Sequence, residues 1–302
     1  MMTVLNCVAV EHDIRLVILG VIICVIGSWA VLCLFHRGSN AARLQKTGWH
    51  LLAAAVSGAS IWCTHFVSML SYDPGVPVSF EPVMTLASFL AAMIGTAFGF
   101  TVAHGGWGRY AAGGSGRYAA GGPGRYAAAA GGGIVGLSIA AMHYMGMHAY
   151  RVQGLVSWDL SYLAASILIA VTLAAAALHI ATRSERWSDR YRATGVLVLA
   201  IVGLHFTGMA AFRVTPLLID GAFSNPGGQH ELILAVAIVA LVILGAGLAI
   251  YLLDGNLRAQ SLERLYHLTM QDCLAGRRSA PAAATDWGPE ARWRQPPGTR
   301  PR

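Results

Sequence analysis

The sequence predicts an all-α membrane protein with seven transmembrane helices, its N-terminus outside the cytoplasm and its C-terminus inside. Charged residues make up 12% of the 302 residues and the mean hydropathy is +0.56, whereas a soluble domain carries about 25% charged residues. Seven apolar runs each have roughly the 20 residues that a helix needs to cross a bilayer. Three of these runs also end in the same short His/Met motif.

The seven runs follow one another from near the N-terminus, and charged or helix-breaking residues separate them. The segment between the second and third runs contains Asp73, Pro74, Gly75 and Pro77, which are typical of turns. The first run is too long for the apolar core of a signal peptide. We predict the helices at about Ile14–Phe35, Trp49–Leu70, Val83–Ala103, Ala127–Tyr150, Trp158–Ala181, Ala193–Phe212 and Leu232–Leu253.

The distribution of basic residues sets the predicted orientation. The loops after the first, third and fifth runs hold ten Lys and Arg residues, whereas the opposite side holds Arg15, Arg151 and Arg213. Basic residues accumulate in cytoplasmic loops, so the second, fourth and sixth helices run outward. The same distribution accounts for the net charge of +7 without a nucleic-acid partner. It predicts a multi-pass membrane protein in contact with the lipid bilayer. The excess of Arg over Lys, with abundant Ala and Gly, is associated with GC-rich bacterial genes, so we expect a bacterial inner (cytoplasmic) membrane.

Composition divides the chain into a membrane domain and polar flanks. We expect an extracytoplasmic N-terminus at residues 1–13, a membrane domain at 14–253, a cytoplasmic linker at 254–276 and a disordered tail at 277–302. A low-complexity cytoplasmic loop at 104–126 repeats Gly-Arg-Tyr-Ala-Ala from Gly108, Gly116 and Gly124. Such a repeat forms either a flexible expansion or a basic, aromatic strip on the lipid surface. We favour the expansion.

The motif that recurs on three helices reads His, aromatic, two residues, Met, and we call it the kernel. The kernels run from His65 to Met69, from His143 to Met147 and from His205 to Met209. They lie near the ends of the second, fourth and sixth predicted helices, all of which run outward. The three kernels are therefore predicted to lie at one depth, near the outer face of the membrane.

A His at position i and a Met at i+4 lie on one face of a helix. Imidazole with thioether favours copper, whereas zinc more usually adds Cys or carboxylate ligands, and no Asp or Glu lies in the interior of a predicted helix. A single intramembrane histidine can instead hydrogen-bond to a neighbouring helix, but three matched kernels favour a shared metal site. The candidate ligands are His65, Met69, His143, Met147, His205 and Met209, with Met142 as an additional candidate and Met145 and His148 off that helical face.

Seven helices with three such kernels resemble the MHYT domain, a bacterial membrane sensor, over about residues 10–253. Met142, His143 and Tyr144 match the first three positions of the motif, and Met145 stands where the family usually has Thr. Thr64 and Phe66 depart from the motif in the first kernel, as do Leu204 and Phe206 in the third. The resemblance implies a copper ion held by the kernel His and Met residues. It also implies sensing of oxygen, carbon monoxide or nitric oxide, or of a redox signal, and signal transduction to a cytoplasmic output.

The segment from Leu265 to Gly276 resembles the first part of a GGDEF cyclase domain. The sequence then continues with Arg277-Arg278-Ser279 and a tail rich in Pro, Arg and Ala, with no Gly-Gly-Asp-Glu-Phe or Glu-Ala-Leu motif. We therefore expect a degenerate or truncated output domain and no enzymatic activity. Signalling would then require a separate cytoplasmic protein, unless the function was lost with that domain.

Three other functions are compatible with the kernels. A copper-handling or transport protein would need a polar or thioether path toward the cytoplasm, yet the inner halves of the three kernel helices are mostly Ala, Val, Leu and Gly. A haem protein would use two of the three histidines as axial ligands. A purely structural bundle would use the histidines only for packing and hydrogen bonds between helices. The sequence does not specify an oligomeric state.

Overall fold

The computed structural model describes residues 12–40, 43–104, 124–183, 186–216, 230–248, 250, 252 and 270. Residues up to 250 form one compact unit and the chain from 251 onward a second, in which only Leu252 and Met270 are described. Residues 105–123 of the repeat loop, most of the linker, the polar tail and residues 1–11 lie outside the described residues. Residues 124–126, predicted within the loop, instead form the first turn of the fourth helix.

The prediction of seven membrane-spanning helices is confirmed within the described residues. Each is long and apolar enough to cross a bilayer. We number them α1 (Ile14–Asn40), α2 (Arg43–Ser71), α3 (Pro82–Ala103), α4 (Gly124–Ala149), α5 (Leu160–Arg183), α6 (Trp187–Ala211) and α7 (His230–Leu248).

Several helices differ from their predicted bounds because their end turns are polar. Helix α6 begins at Trp187 rather than near Ala193, so its first turns include Asp189, Arg190 and Arg192. Helix α1 likewise continues to Asn40, beyond the predicted end at Phe35. Hydropathy finds the apolar centre of a helix, whereas the hydrogen-bonded backbone continues into the polar region on either side of the membrane.

The first six helices pack as a closed ring in chain order. Each helix contacts the next one along the chain, and α6 contacts α1 to complete the ring. Helices α2 and α6 also contact α4 across the ring. The ring therefore brings together the three helices that carry the kernels.

Helix α7 packs outside this ring, against α1 and α2. Gly247 of α7 lies against the side chain of Ile26 in α1. The carbonyl oxygen of Val236 accepts a hydrogen bond from Cys63 Sγ of α2 at 3.6 Å. A helix that follows the ring in sequence thus touches the first kernel helix directly.

Two short antiparallel strand pairs, which were not predicted from the sequence, connect the segments that follow the kernels. Strand β1 (Val78–Phe80) pairs with β2 (Tyr150–Val152), and β3 (Gly154–Trp158) pairs with β4 (Phe212–Pro216). The strands follow α2, α4 and α6 and precede α5. Tyr150 and Phe212, predicted to end the fourth and sixth helices, are the first residues of β2 and β4. Trp158, predicted to start the fifth helix, is the last residue of β3. The strands tie together the predicted outer ends of the three kernel helices.

The start of α3 shows how local sequence fixes the return from these strands into the membrane. Glu81 precedes the helix in an extended conformation, and its carboxylate accepts hydrogen bonds from the backbone N–H groups of Val83 and Met84. Pro82 occupies the first turn, where its missing N–H leaves no helical hydrogen bond unmade. This N-terminal cap by Glu81 allows α3 to begin directly after β1, beside the end of the first kernel helix.

Candidate metal centre

The three kernel histidines meet at the centre of the ring. His65, His143 and His205 are between 1% and 4% exposed. The Nδ1 atom of His65 lies 3.1 Å from Nδ1 of His143 and 3.3 Å from Nδ1 of His205. Their ring centroids are 4.9 to 5.3 Å apart, with the ring planes close to perpendicular. We call these three residues the triad.

The ring nitrogens of the triad have fewer hydrogen-bond partners than they can accommodate. A neutral imidazole carries one N–H, so His65 Nδ1 can donate to only one of its two neighbours. The Nε2 atoms of all three rings are buried without a hydrogen-bond partner among the described residues. Buried polar atoms without partners are uncommon and call for an explanation. A cation that accepted the Nδ1 lone pairs of all three rings would replace the incomplete hydrogen bonding between the Nδ1 atoms, with the proton of each neutral ring on Nε2.

The spacing of the nitrogens fits such a cation. One ligand nitrogen from each of the three histidines lies within 4.8 Å of the others. Two imidazole nitrogens that bind one ion tetrahedrally, with bonds of about 2.0–2.1 Å, lie about 3.3 Å apart. The observed separations of 3.1 and 3.3 Å match that value. Two of the three nitrogen separations thus already match those around one tetrahedral ion, and the triad could hold a metal ion.

Two kernel glycines provide the space in which the rings lie. A methyl group at Gly208 would lie 2.5 Å from His143 Nε2, and one at Gly146 would overlap His65 Nε2. Gly146 belongs to the kernel of α4 and Gly208 to that of α6. In both cases, the glycine of one kernel accommodates the imidazole of another. The ring of His143 is also contacted by Tyr144, whose hydroxyl hydrogen-bonds to Ser166 Oγ of α5 at 2.5 Å.

The predicted methionine ligands are buried on the same three helices. Met69, Met147 and Met209 are each 1–2% exposed and lie one turn beyond their histidines, on the same helical face. The additional candidate Met142 is also buried, whereas Met145 is half-buried and His148 is exposed. The structure thus keeps the six predicted residues in the protein interior. Coordination by the thioethers and by Met142 stays a prediction.

A fourth histidine lies next to the triad, and the sequence analysis did not identify it. His12 is buried, and its ring centroid is 6.5 Å from that of His205 and 5.4 Å from that of Phe206. It belongs to no kernel and lies two residues before α1, so the repeated motif does not reveal it. The sequence indicated its proximity in one way only: His12 lies at the predicted outer boundary of the membrane, at the same depth as the kernels.

Aromatic rings cover the predicted outer side of the triad around His12. Tyr150 packs against Phe80, Tyr72 and Phe212, with centroids 5.2 to 6.3 Å away. Its hydroxyl is buried without a hydrogen-bond partner among the described residues. Burial, reinforced by Tyr72 and Asp73, raises the pKa of this phenol, so Tyr150 stays neutral. We call these rings, together with Trp158, Phe206 and His12, the aromatic cap.

Comparison with known proteins gives a consistent family assignment. The MHYT family, described as "Bacterial signalling protein N terminal repeat", matches residues 58–113 and 136–194. These two matches contain the first and second kernels, and the third kernel follows the second match. No solved structure matches the chain.

The curated relatives include proteins of cyclic di-GMP signalling. The chain is 33% identical, over 87% of its length and 31% of the relative's, to an uncharacterized signaling protein of Caulobacter vibrioides. It is 32% identical, over 82% of its length and 34% of the relative's, to the bifunctional diguanylate cyclase/cyclic di-GMP phosphodiesterase MucR of Pseudomonas aeruginosa. Identity to the cyclic di-GMP phosphodiesterase NbdA of the same organism is 31%, over 68% of the chain and 25% of the relative.

The chain spans about a third of the length of the first two of these relatives. Both the matched repeats and the three kernels lie in its membrane region. With seven membrane-spanning helices, a buried histidine triad and the repeat matches, the chain belongs to the MHYT family of bacterial signalling proteins.

Proposed function

We propose that this chain is a copper-binding sensory domain of the bacterial inner membrane. The observation that carries the proposal is the convergence of three buried imidazoles from three helices, with nitrogen separations of 3.1 and 3.3 Å. The expected ligands are His65, His143 and His205, with thioethers from Met69, Met147 and Met209. Buried thioethers on the same helical faces favour Cu(I), because soft ligands select soft ions.

A bound copper ion would supply a coordination position for a diatomic gas such as oxygen, carbon monoxide or nitric oxide, or a charge that changes with redox conditions. The protein's part is to exclude water and to hold the three imidazoles in a fixed arrangement. Since the three kernels come from three different helices, a change in the preferred ligand geometry would alter how α2, α4 and α6 pack.

We propose that α7 carries this change toward the cytoplasm. Cys63 lies two residues before His65 and hydrogen-bonds to Val236 O of α7 at 3.6 Å. A shift of α2 at the first kernel would therefore be transmitted to α7 through the hydrogen bond between Cys63 and Val236. The relatives named above as cyclases and phosphodiesterases support a cytoplasmic signalling partner as the receiver, and we propose no catalytic activity for the described residues.

A haem centre is the alternative that the geometry favours least. Two axial histidines must leave room for a porphyrin between their nitrogens, whereas His65 and His143 are 3.1 Å apart with the ring of His205 beside them. A Soret band in the purified protein would reverse this preference. Copper transport predicts flux into vesicles, and the sensory proposal predicts none.

The test is metal analysis of detergent-purified protein with infrared spectroscopy under carbon monoxide. We expect about one copper per wild-type chain, and a new carbonyl band when carbon monoxide is added. The variant with His65→Ala, His143→Ala and His205→Ala should show neither. No transition metal in the wild type, or equal loading of the variant, would contradict the proposal. If the wild type binds copper but does not respond to gas or to a redox change, the sensory role is contradicted and a storage or transport role remains.

A further inference from the structure

His12 is the described histidine outside the triad whose ring contacts a triad ring. The triad centroids are 4.9 to 5.3 Å apart, and His12 stands slightly further away, 6.5 Å from His205. The chain before α1 places it there: His12 forms an antiparallel backbone bridge with Tyr72, and Asp13 N donates to Ser71 O at 2.9 Å. His12 is thus fixed to the end of α2, on the predicted outer side.

The aromatic cap around His12 is an obstacle for a charged ion. Apart from His12, its rings belong to Tyr72, Phe80, Tyr150, Trp158, Phe206 and Phe212. Moving a cation from water into such surroundings without a ligand is costly. An ion that reaches the triad from outside therefore needs a ligand within the cap. The imidazole of His12 is suited to copper and adjoins both the cap and His205.

The separation of the two rings suits an exchange of ligands. Two imidazoles that bind one ion from opposite sides, with bonds of about 2.0–2.1 Å, have ring centroids about 6.4 Å apart. His12 and His205 are separated by 6.5 Å. That separation places the two rings within reach of one ion, with the side chains turning so that a nitrogen of each ring faces it.

We propose that His12 is a transfer ligand through which copper reaches the triad from the outer side of the membrane. Cu(I) arrives bound to a ligand of an external carrier, and the bond from that ligand to the ion breaks as His12 binds. The bond from His12 to the ion then breaks as His205 binds it. No electron is transferred in either exchange. The inference rests on the proposed copper site and adds a route and a direction of loading to it.

The experiment compares loading rates in the full chain, reconstituted in lipid nanodiscs. Cu(I) is supplied as its coloured bicinchoninate complex, and stopped-flow loss of that colour reports transfer to the protein. His12→Phe removes the nitrogens and keeps a ring against Tyr72 and Phe206. His148→Phe is the matched control, since His148 lies exposed at the end of the second kernel helix.

We expect His12→Phe to load more slowly by about tenfold or more, comparable to the effect of one outer-shell partner on a metal site. Its final copper content and thermal midpoint should equal those of the wild type, and His148→Phe should load at the wild-type rate. Equal rates for His12→Phe and the wild type would overturn the inference alone. A lower final copper content in His12→Phe would make His12 a permanent ligand and overturn the transfer role. A wild type that takes up no copper would overturn the proposed function and this inference together.

Discussion

The positions of two of the three triad rings depend on residues that have no side chain. His65 and His143 direct their Nε2 edges at Gly146 and Gly208, and a methyl group at either glycine would occupy the space of the ring. Because the rings are buried among packed helices, they cannot turn toward solvent to make room. Gly146 and Gly208 therefore position the imidazoles of His65 and His143 as directly as the helices that carry them.

The first prediction concerns Gly208→Ala. The added methyl would lie 2.5 Å from His143 Nε2, so the ring must leave its place in the triad. We expect a loss of about 1–3 kcal/mol of stability, as for other overpacked interiors, and copper affinity lower by about 10- to 100-fold. Thermal unfolding and competition with a copper chelator measure the two effects.

Gly195→Ala on the same helix is the matched control, because a methyl group there meets nothing within 4 Å. Alanine has the higher helix propensity by about 1 kcal/mol, so this variant should be as stable as the wild type or more stable, with unchanged copper affinity. Equal behaviour of the two variants would contradict the role given to Gly208.

The second prediction separates the methionines from the histidines. Replacing Met69, Met147 and Met209 by Leu keeps the volume nearly constant, and such swaps usually cost less than about 1.5 kcal/mol each. We expect the triple variant to fold and to bind a divalent ion such as Zn²⁺ through its imidazoles, while its preference for Cu(I) falls. Competition between the two ions measures this. An unchanged preference would show that the thioethers are not ligands.

For individual residues, the sequence predicted the site where a motif is repeated, as it is in the three kernels. The shared spacing and depth of the kernels predicted that His65, His143 and His205 would converge, and the structure confirms it. Gly146 and Gly208 were recognisable as small residues, but their contact with imidazoles depends on the rotation of each helix. His12 stands alone in the sequence, and only the bridge to Tyr72 brings it to the triad.

Among the elements, helices α4 and α5 pack so closely that their backbones are in contact. A methyl group at Gly132 would lie 2.5 Å from the carbonyl oxygen of Ala174, and one at Gly136 would lie 2.5 Å from that of Ala170. Small residues four apart allow membrane helices to approach closely. Since α4 carries the second kernel, this contact fixes the distance of His143 from the other triad members.

The third prediction is that Gly136→Ala separates α4 from α5. The clash is with backbone atoms, which cannot swing aside as a flexible side chain can. We expect a loss of about 1–3 kcal/mol in thermal or detergent-induced unfolding. Gly133→Ala is the control on the same helix, because its nearest contact would be an ordinary 3.8 Å from Val171. The prediction fails if both variants are equally stable.

The strands are the elements that the sequence did not predict. They are three to five residues long and stand among prolines, glycines and charges, where periodicity has no room to develop. Helix number and helix centres were predictable, because each span must satisfy its backbone hydrogen bonds internally in lipid. The strand pairs depend instead on which helix ends meet, and that is set by the ring of helices.

The repeat loop accounts for the unequal spacing of the kernels. His143 follows His65 by 78 residues, whereas His205 follows His65 by 140. The second interval is thus shorter than the first by the length of two copies of the eight-residue Gly-Arg-Tyr-Ala-Ala repeat. This agrees with a low-complexity expansion between helices that otherwise recur at a regular interval.

For the whole molecule, orientation decides which side of the membrane the triad faces. The strand pairs, the aromatic cap and His12 all lie at the ends of the helices where the kernels are, and the loops rich in arginine lie at the opposite ends. If the basic loops are cytoplasmic, the triad is close to the extracytoplasmic space and separated from it by the cap. A signal from outside would then reach the triad without crossing the bilayer.

The fourth prediction tests this orientation by labelling single cysteines on intact spheroplasts with a membrane-impermeant maleimide. In a background with Cys7→Ser and Cys273→Ser, the remaining Cys24, Cys33 and Cys63 are buried. Ser157→Cys in β3 should react before lysis, whereas Ser188→Cys at the start of α6 should react only after it, since both positions are exposed on opposite sides. The reverse pattern would place the triad on the cytoplasmic side.

The central claim is that three imidazoles from three helices bind one copper ion. X-ray absorption at the copper edge of the loaded protein tests it most directly, with single His→Phe variants of the triad as comparisons. The account predicts nitrogen ligands at about 2.0 Å, with the scattering pattern of imidazole in the wild type and weaker imidazole scattering in each variant. A spectrum without imidazole scattering, or one that stays the same in all three variants, would contradict it.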